Sequence, residues 1–217
     1  MFIGHFAVGF AAKKVSPKTP LPLLIAGVQL VDLVWPLFLL LGWESVKIVP
    51  GITVVTPLDF ISYPITHSLL TSIVWGAVFG GAVYAFRRQL REAVVLGACV
   101  ISHWVLDFLT HRPDLPLSPW SDVRVGLGLW NSFGATVAVE FGLFIAGLFI
   151  YRAVILSLGK RVSLSFWLLA AFLAVMHIGN LLGPPPPSES MIAVAGNAMW
   201  LFVLWAWWSE RHLREIR

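Results

Sequence analysis

Residues 102–111, SHWVLDFLTH, hold the sharpest chemical pattern in this chain of 217 residues. His103, Asp107 and His111 follow one another at intervals of four residues, which places them on one face of an α-helix. A neutral imidazole and a carboxylate one helical turn apart can chelate a borderline metal ion such as Zn²⁺. Asp107, with its two carboxylate oxygens, could bridge two metal ions. This stretch therefore predicts a metal site.

Other carboxylates and histidines lie within apolar segments of the sequence, where an ionised side chain is costly. Asp32 and Glu140 lie near the middle of two such segments, and no Lys or Arg lies well inside any of them. Because an ionised carboxylate at mid-membrane costs at least about 2.5–3.5 kcal/mol, each must be protonated, reach water or hold a cation. His5 and His67 extend the set of candidate ligands. Asp32 and Glu140 could alternatively be protonated contacts between helices.

The elements that must position these residues are six apolar stretches of about 20 residues, each long enough to cross a membrane as a helix. Only 12% of the residues are charged and 58% are hydrophobic, whereas soluble domains have roughly 25% charged residues. Residues 1–12 are apolar but too short to span, and predict a half-helix that dips into the membrane or an amphipathic helix on its surface. The predicted fold is all-α, a polytopic membrane helix bundle that forms a single domain over residues 1–217. The six stretches are 21–42, 65–86, 92–111, 127–151, 163–182 and 191–208.

The basic residues alternate along the chain in a way that predicts the orientation of the bundle. Twelve of the 15 lysines and arginines lie before the first stretch, in alternate loops, or after the sixth stretch as Arg211, Arg214 and Arg217. Cytoplasmic loops are enriched in Lys and Arg, so we expect both termini in the cytoplasm and the protein in the plasma (inner) membrane. The net charge of +4 is then a topology signal, and no nucleic-acid partner is expected.

The polar residues are predicted to lie at similar depths, since a helix rises ~1.5 Å per residue. Asp32 and His103 each lie about 16 Å from the inner start of their stretches, and His5 would lie about 12 Å deep in an inward-pointing half-helix. His67 and His111 lie nearer the outer face, and the carboxylate of the fourth stretch lies somewhat lower. We therefore expect one cluster between mid-membrane and the non-cytoplasmic leaflet.

Four further polar residues have simpler interpretations. His177 lies in the fifth stretch, but a lone histidine there is more often a hydrogen-bonded packing residue than a ligand. Glu44, Asp59 and Glu189 lie between the stretches and are typical of ordinary loop charges.

The order of these motifs resembles that of the LexA-regulated, membrane-bound metal-dependent hydrolase family, also called the YdjM family. The resemblance covers mainly residues 1–111, with Gly4-His5, an aspartate in the next apolar segment, Thr66-His67-Ser68 and His103–Asp107 in this order. The family is itself similar to zinc-dependent phospholipase C and P1-type nucleases, soluble all-α enzymes that hold zinc with a comparable series of His and Asp residues. The resemblance implies metal ligation by His5, Asp32, His67, His103 and Asp107.

Two departures from the family pattern concern the completeness of the ligand set. The family has a proline-aspartate-x-aspartate stretch where this chain has Val31-Asp32-Leu33-Val34, so one carboxylate is absent. It also has a His-Arg-Gly where this chain has Ser62-Tyr63-Pro64. We infer that His111 and Glu140 could complete a second metal site in place of the missing ligands.

These observations predict a membrane-embedded hydrolase with one or two divalent metal ions, for which Zn²⁺ is favoured. A metal ion lowers the pKa of a bound water toward about 7 and so generates a nucleophile. Asp107 and Glu140 are the predicted catalytic residues, the second as a general base if it is not a ligand. A membrane lipid, either a phospholipid or a lipid-linked phosphate, is the expected substrate.

Two alternatives remain, and the oligomeric state is left open. A proton- or metal-ion-coupled transporter would use the same kinds of intramembrane residues, although no inverted repeat is visible. A non-enzymatic protein could instead use a metal ion to join its helices, in which case the metal would have four protein ligands and no open position.

Overall fold

Six helices long and apolar enough to cross a membrane form a bundle in the computed structural model, which describes residues 1–215. The predicted all-α membrane fold is thus confirmed. Arg217, one of the residues behind the predicted orientation, lies outside the described residues. In chain order the helices are α1 (Ile3–Val15), α2 (Leu21–Leu40), α3 (Pro64–His67), α4 (Leu69–Arg87), α5 (Leu90–Thr110), α6 (Phe133–Ser157), α7 (Leu164–Leu182), α8 (Glu189–Asn197) and α9 (Trp200–Arg211), the last two forming one span.

The N-terminal helix α1 is the predicted half-helix, and it lies inside the bundle. It packs mainly against α6 and also against α2 and α5, and most of its residues are buried. Its C-terminal turn lies at what we call the basic end of the bundle, where α2 begins and α4, α6 and α9 end. There Lys13 Nζ lies 2.5 Å from Glu210 Oε1. The helix therefore begins in the interior, where its first turn brings His5 to Asp107.

Glycines let neighbouring helices approach closely. A Cβ added to Gly76 of α4 would lie 2.8 Å from the carbonyl oxygen of Gly97, and one added to Gly80 would lie 2.5 Å from that of Ala93. Small residues of this kind are typical of contacts between membrane helices, which depend on close packing rather than on hydrophobic burial. Gly147 of α6 lies in the same way against the backbone of α1.

The fourth span begins later than the predicted range of 127–151, because α6 starts at Phe133. Gly128 has a φ of +72°, and Leu129–Asn131 form a short 3₁₀ turn that ends before the helix. The apolar side chains of this turn extended the hydropathy pattern without extending the helix. Glu140 consequently lies only two turns into α6, nearer the loops than the sequence predicts.

The second span, predicted as 65–86, is interrupted near its start. Pro64 begins the one-turn helix α3, and Ser68 then adopts an extended conformation (φ −81°, ψ 152°). The Ser68 side chain accepts a hydrogen bond from Thr71 N and so caps α4. His67 therefore lies on a separate turn, held apart from the spanning helix.

Short strands lie at the end of the bundle opposite the basic end, which we call the hairpin end. Strands β1 (Ser45–Ile48) and β2 (Leu58–Ser62) pair antiparallel in the loop between α2 and α3, and β3 (Leu115–Pro116) pairs with β4 (Arg124–Val125). At the basic end, β5 (Lys160–Arg161) pairs with β6 (Arg214–Glu215). Hydropathy gave no sign of these strands.

Candidate metal centre

Five predicted ligands from four helices converge near the middle of the bundle. His5 lies on α1, Asp32 on α2, His67 on α3, and His103 and Asp107 on α5. The two α5 residues point to the same neighbours because they are one helical turn apart. Four of the five are almost fully buried, whereas the Asp32 side chain is 23% exposed. The cluster is therefore reached from the side of Asp32.

The ligand atoms are spaced as they would be around a small metal ion. Asp32 Oδ1 lies 3.2 Å from His67 Nε2 and 3.6 Å from His103 Nε2. Asp107 Oδ2 lies 3.2 Å from His103 Nε2, and its Oδ1 lies 3.1 Å from His5 Nε2. Ligand atoms at 2.0–2.2 Å from a tetrahedral Zn²⁺ are about 3.3–3.6 Å apart. Two overlapping groups could each hold an ion, namely His5–His103–Asp107 and Asp32–His67–His103.

The hydrogen bond of His103 to a backbone carbonyl determines which of its two ring nitrogens carries the hydrogen. Its Nδ1 lies 2.7 Å from the carbonyl oxygen of Val28, and because a carbonyl only accepts, Nδ1 must carry the hydrogen. In the neutral ring Nε2 then carries a lone pair directed at Asp32 and Asp107, and among the described residues it has no hydrogen-bond partner. Buried lone pairs that face one another are unfavourable unless a cation lies between them. The lone pair of His103 Nε2 is therefore suited to a metal ion, and because the nitrogen has a single lone pair it could bind one ion at most.

The rings of His5 and His103 stack against each other, with centroids 3.6 Å apart and an interplanar angle of 4°. Stacking directs both Nε2 atoms to the same carboxylate, that of Asp107. Because His5 Nε2 approaches Oδ1 while His103 Nε2 approaches Oδ2, Asp107 is the residue placed to bridge two ions.

Glu140 lies beside this group but does not belong to either of the two ligand sets. Its Oε2 accepts hydrogen bonds from Phe2 N at 2.9 Å and from Gly4 N at 3.3 Å. The α-amino group of Met1 lies 2.6 Å from Asp107 Oδ1, so the first turn of the chain separates the two carboxylates. Glu140 is thus placed near the centre rather than in it.

His177, which the sequence suggested to be a packing residue, lies next to Glu140. Its Nε2 is 3.9 Å from Glu140 Oε2, and neither ring nitrogen has a hydrogen-bond partner among the described residues. Its ring stacks on Phe2, with centroids 6.1 Å apart. The sequence could not show that the His177 ring lacks hydrogen-bond partners, because its neighbours in the structure, Glu140 and Phe2, lie on distant segments of the chain.

His111, a predicted ligand, is not brought into either group. It follows the last turn of α5, and its Nδ1 lies 3.0 Å from Asp114 Oδ1 and 3.3 Å from Tyr63 Oη. Burial lowers the pKa of His111, so its ring is neutral near pH 7. Burial also raises the pKa of Tyr63, whose hydroxyl donates to Asp114 at 3.1 Å. In an uninterrupted helix the spacing of eight residues would place His111 on the same face as His103, but α5 ends at Thr110, one residue before His111.

Glu44 was interpreted from the sequence as a loop charge, and this was wrong. It is 3% exposed and accepts three hydrogen bonds from the turn that carries His67, two from the backbone nitrogens of Ile65 and Thr66 and one from Thr66 Oγ1. No local pattern could have indicated this, because 21 residues separate Glu44 from Ile65.

A cavity of about 450 Å³ extends from the cluster to the hairpin end. Its floor is polar and includes Asp32, His67, Asp107, Glu140 and His177. Its walls are largely aromatic and aliphatic, and its mouth lies between the hairpin loop and the proline-rich turn after α7. The wall and mouth residues include Phe2, Trp35, Val54, Phe60, Trp130, Leu181 and Pro184–Pro186.

Comparison with models of protein families identifies a family for this chain. The model of a protein family described as YdjM inner membrane protein matches residues 1–183, which contain all the ligands described above. No curated protein and no solved structure matches the chain.

Proposed function

We propose that this chain, which belongs to the YdjM inner membrane protein family, is a metal-dependent hydrolase that cleaves a phosphoester of a membrane lipid or a lipid-linked phosphate. One observation carries the proposal. Buried imidazole and carboxylate side chains converge at the floor of a cavity that is open at one end, and His103 Nε2, which faces the carboxylates, has no hydrogen-bond partner among the described residues.

Each ligand has a defined part in this proposal. Asp32, His67 and His103 would hold one divalent ion, with Zn²⁺ favoured because its ligands are typically His and Asp. Asp107 would complete that site, and with His5 it would contribute to a second site if another ion binds. A bound ion of this kind supplies a nucleophilic hydroxide near neutral pH and stabilises charge on a phosphoryl oxygen.

Glu140 is the proposed general base. Its hydrogen bonds from Phe2 N and Gly4 N use Oε2, so Oε1 is free to take a proton from a molecule in the cavity. The two backbone donors hold the carboxylate in place. A general base needs such a fixed position, because it must lie within hydrogen-bond distance of the proton that it removes. His177 next to it lies at the cavity floor, and both of its ring nitrogens lack a hydrogen-bond partner among the described residues.

The shape and surroundings of the cavity favour a lipid substrate. A polar floor beneath apolar and aromatic walls suits a molecule with a phosphate head and a hydrocarbon body. Large hydrophobic residues are exposed near the mouth, with Val54 at 63% and Leu182 at 71%. In the proposed orientation both termini are cytoplasmic, and the cavity opens toward the non-cytoplasmic half of the membrane.

Transport is the second candidate, but the packing weighs against it. A transport path would need polar residues from the cluster to the basic end. Phe10, Phe144, Tyr151 and Phe166 instead form a buried aromatic cluster on that side of His5. Among the described residues this packing separates the cluster from the basic end, and the cavity offers an ion a route to the hairpin end.

The proposal is tested with purified protein and a total membrane lipid extract. We expect release of a phosphorylated head group or of phosphate, its loss after treatment with a chelator, and its return after addition of Zn²⁺. Asp107→Asn should be inactive, whereas Asp122→Asn, a substitution in an exposed loop, should match the wild type. Metal-loaded wild-type protein that releases no product from any lipid in the extract would refute the hydrolase function.

A further inference from the structure

Two short hydrogen bonds connect Glu44, through the Thr66 hydroxyl, to the ring nitrogen of His67 that faces away from the metal centre. The Thr66 hydroxyl lies 2.7 Å from Glu44 Oε2 and 2.6 Å from His67 Nδ1. His67 Nε2 in turn lies 3.2 Å from Asp32 Oδ1. All three residues of the relay are at least nine-tenths buried, so water does not compete with these bonds.

The direction of each bond in the relay follows from the chemistry of Glu44. An ionised carboxylate only accepts, so the Thr66 hydroxyl donates its single hydrogen to Glu44. The Thr66 oxygen can then only accept from His67, which requires a hydrogen on Nδ1. The lone pair of the neutral imidazole is consequently on Nε2, the atom that faces Asp32.

We propose that Glu44 and Thr66 form a positioning relay that holds His67 in its Nδ1-protonated tautomer and thereby sets the affinity of the centre for its metal ion. This inference rests on the metal centre of the proposed function, but not on the hydrolysis of any substrate. Partners of metal-bound histidines fix both the tautomer and the ring orientation, and their loss typically weakens metal binding 10–100-fold.

Glu44 also fixes the position of the turn on which His67 lies. Its Oε1 accepts from Ile65 N at 2.7 Å and from Thr66 N at 2.9 Å, and these are the free backbone donors at the start of α3. Because Glu44 lies directly before β1, the relay connects the metal centre to the hairpin that forms part of the cavity mouth. Glu44 therefore links the β1–β2 hairpin, which it directly precedes, to the turn that carries His67.

Glu44→Gln tests the direction of the relay. An amide has the shape of the carboxylate, but its nitrogen can donate to the Thr66 hydroxyl, which is then free to donate to His67 Nδ1. The lone pair of the imidazole would move to Nδ1, and the hydrogen on Nε2 would obstruct the metal. Thr66→Val removes the hydroxyl at nearly constant shape, whereas Thr66→Ser keeps it.

A matched control is Glu92→Gln. Glu92 is as buried as Glu44, at 4% exposure, but it pairs with Arg87 at the basic end. Its substitution tests whether loss of any buried carboxylate weakens metal binding through a general effect on the fold. The melting temperature of each metal-free variant reports that general effect separately.

The measurement is the Kd for Zn²⁺ alone, determined by competition with a chelator of known affinity, together with the ¹⁵N NMR shifts of His67 in the metal-free protein. We expect 10–100-fold weaker binding for Glu44→Gln and Thr66→Val, little change for Thr66→Ser and Glu92→Gln, and loss of the Nδ1-protonated signal of His67 in the first two variants. If Glu44→Gln does not fold, Thr66→Val decides the outcome.

Two results would overturn the inference, and they are distinguishable from failure of the metal centre. Tight Zn²⁺ binding by the wild type with the same Kd in Thr66→Val would exclude the relay alone. A neutral His67 with its hydrogen on Nε2 in the wild type would do the same. A wild-type protein that binds no Zn²⁺ would instead exclude the centre itself.

Discussion

Gly147 of α6 touches the backbone of the helix that carries His5, so Gly147→Ala is expected to disturb the metal centre from a distance. A Cβ at this position would lie 2.6 Å from the carbonyl oxygen of Ala7 and 2.8 Å from its Cα. Backbone atoms cannot rotate away as a side chain can. Either α1 or α6 must therefore move.

The size of the movement follows from these distances. Ordinary contact begins at 3.4 Å, so the helices must separate by about 0.8 Å, whereas metal–ligand distances tolerate only about 0.2 Å. Overpacking of this kind costs about 1–3 kcal/mol in stability. We also expect His5 to leave its place beside Asp107, and the affinity for the Zn²⁺ ion that these two residues would hold to fall about tenfold or more, as when a ligand loses its orienting contacts.

Gly142 in the same helix provides the matched control, because a Cβ added there meets nothing within 4 Å. Gly142→Ala should stay within about 1 kcal/mol of the wild type, since the change affects helix propensity alone. The assay is the thermal midpoint of each detergent-solubilised variant, with and without Zn²⁺, and its Kd for Zn²⁺. A Gly147→Ala variant equal to Gly142→Ala in both measurements would refute the close packing of α1 on α6.

Two further substitutions separate residues of the metal centre from residues of the fold. His111→Gln should keep its full metal content, because the His111 ring contacts Asp114 and does not belong to either ligand group. It should lower the free energy of unfolding by about 1–3 kcal/mol through the loss of a buried hydrogen bond. Loss of metal in this variant would instead show that His111 is a ligand. Lys13→Met should remove the ion pair of Glu210, which would keep only its hydrogen bond from Leu21 N among the described residues, and should destabilise the protein by up to about 3 kcal/mol, with unchanged metal content. Equal stability of Lys13→Met and wild type in thermal denaturation would show that this pair is not formed.

The sequence was sufficient for the parts of the fold that obey one simple rule. Spanning helices need about 20 apolar residues, and the six stretches that meet this condition correspond to the six spans. The half-helix was predicted because residues 1–12 are apolar but short. The candidate ligands His103 and Asp107 could be paired from the sequence because their spacing matches one turn of a helix that is regular in the structure.

The sequence was insufficient where the backbone departs from a regular helix. The turn at Gly128 shifts the start of α6 and so brings Glu140 nearer to the hairpin end than its position in the hydropathy pattern indicates. The end of α5 at Thr110 releases His111 to Asp114. In both places a departure from helical conformation, which leaves no trace in hydropathy, decides where a candidate functional side chain lies.

Long-range polar contacts were also beyond sequence reasoning. Glu44 and His67 lie on different segments, and the role of Glu44 depends on the strand pair that brings the two together. The same holds for His177 and Glu140, whose proximity results from packing of α7 and α6 around α1. Spacing rules apply within one element, so they cannot predict contacts of this kind.

The metal content of the purified protein tests the central claim most directly. Protein prepared without chelator should contain one or two divalent ions per chain by elemental analysis, with zinc favoured. Asp107→Ala should lose them while it retains the helical circular dichroism spectrum of the wild type. Wild-type protein that is folded by this criterion and contains no divalent metal would contradict the metal centre and the hydrolase function that depends on it.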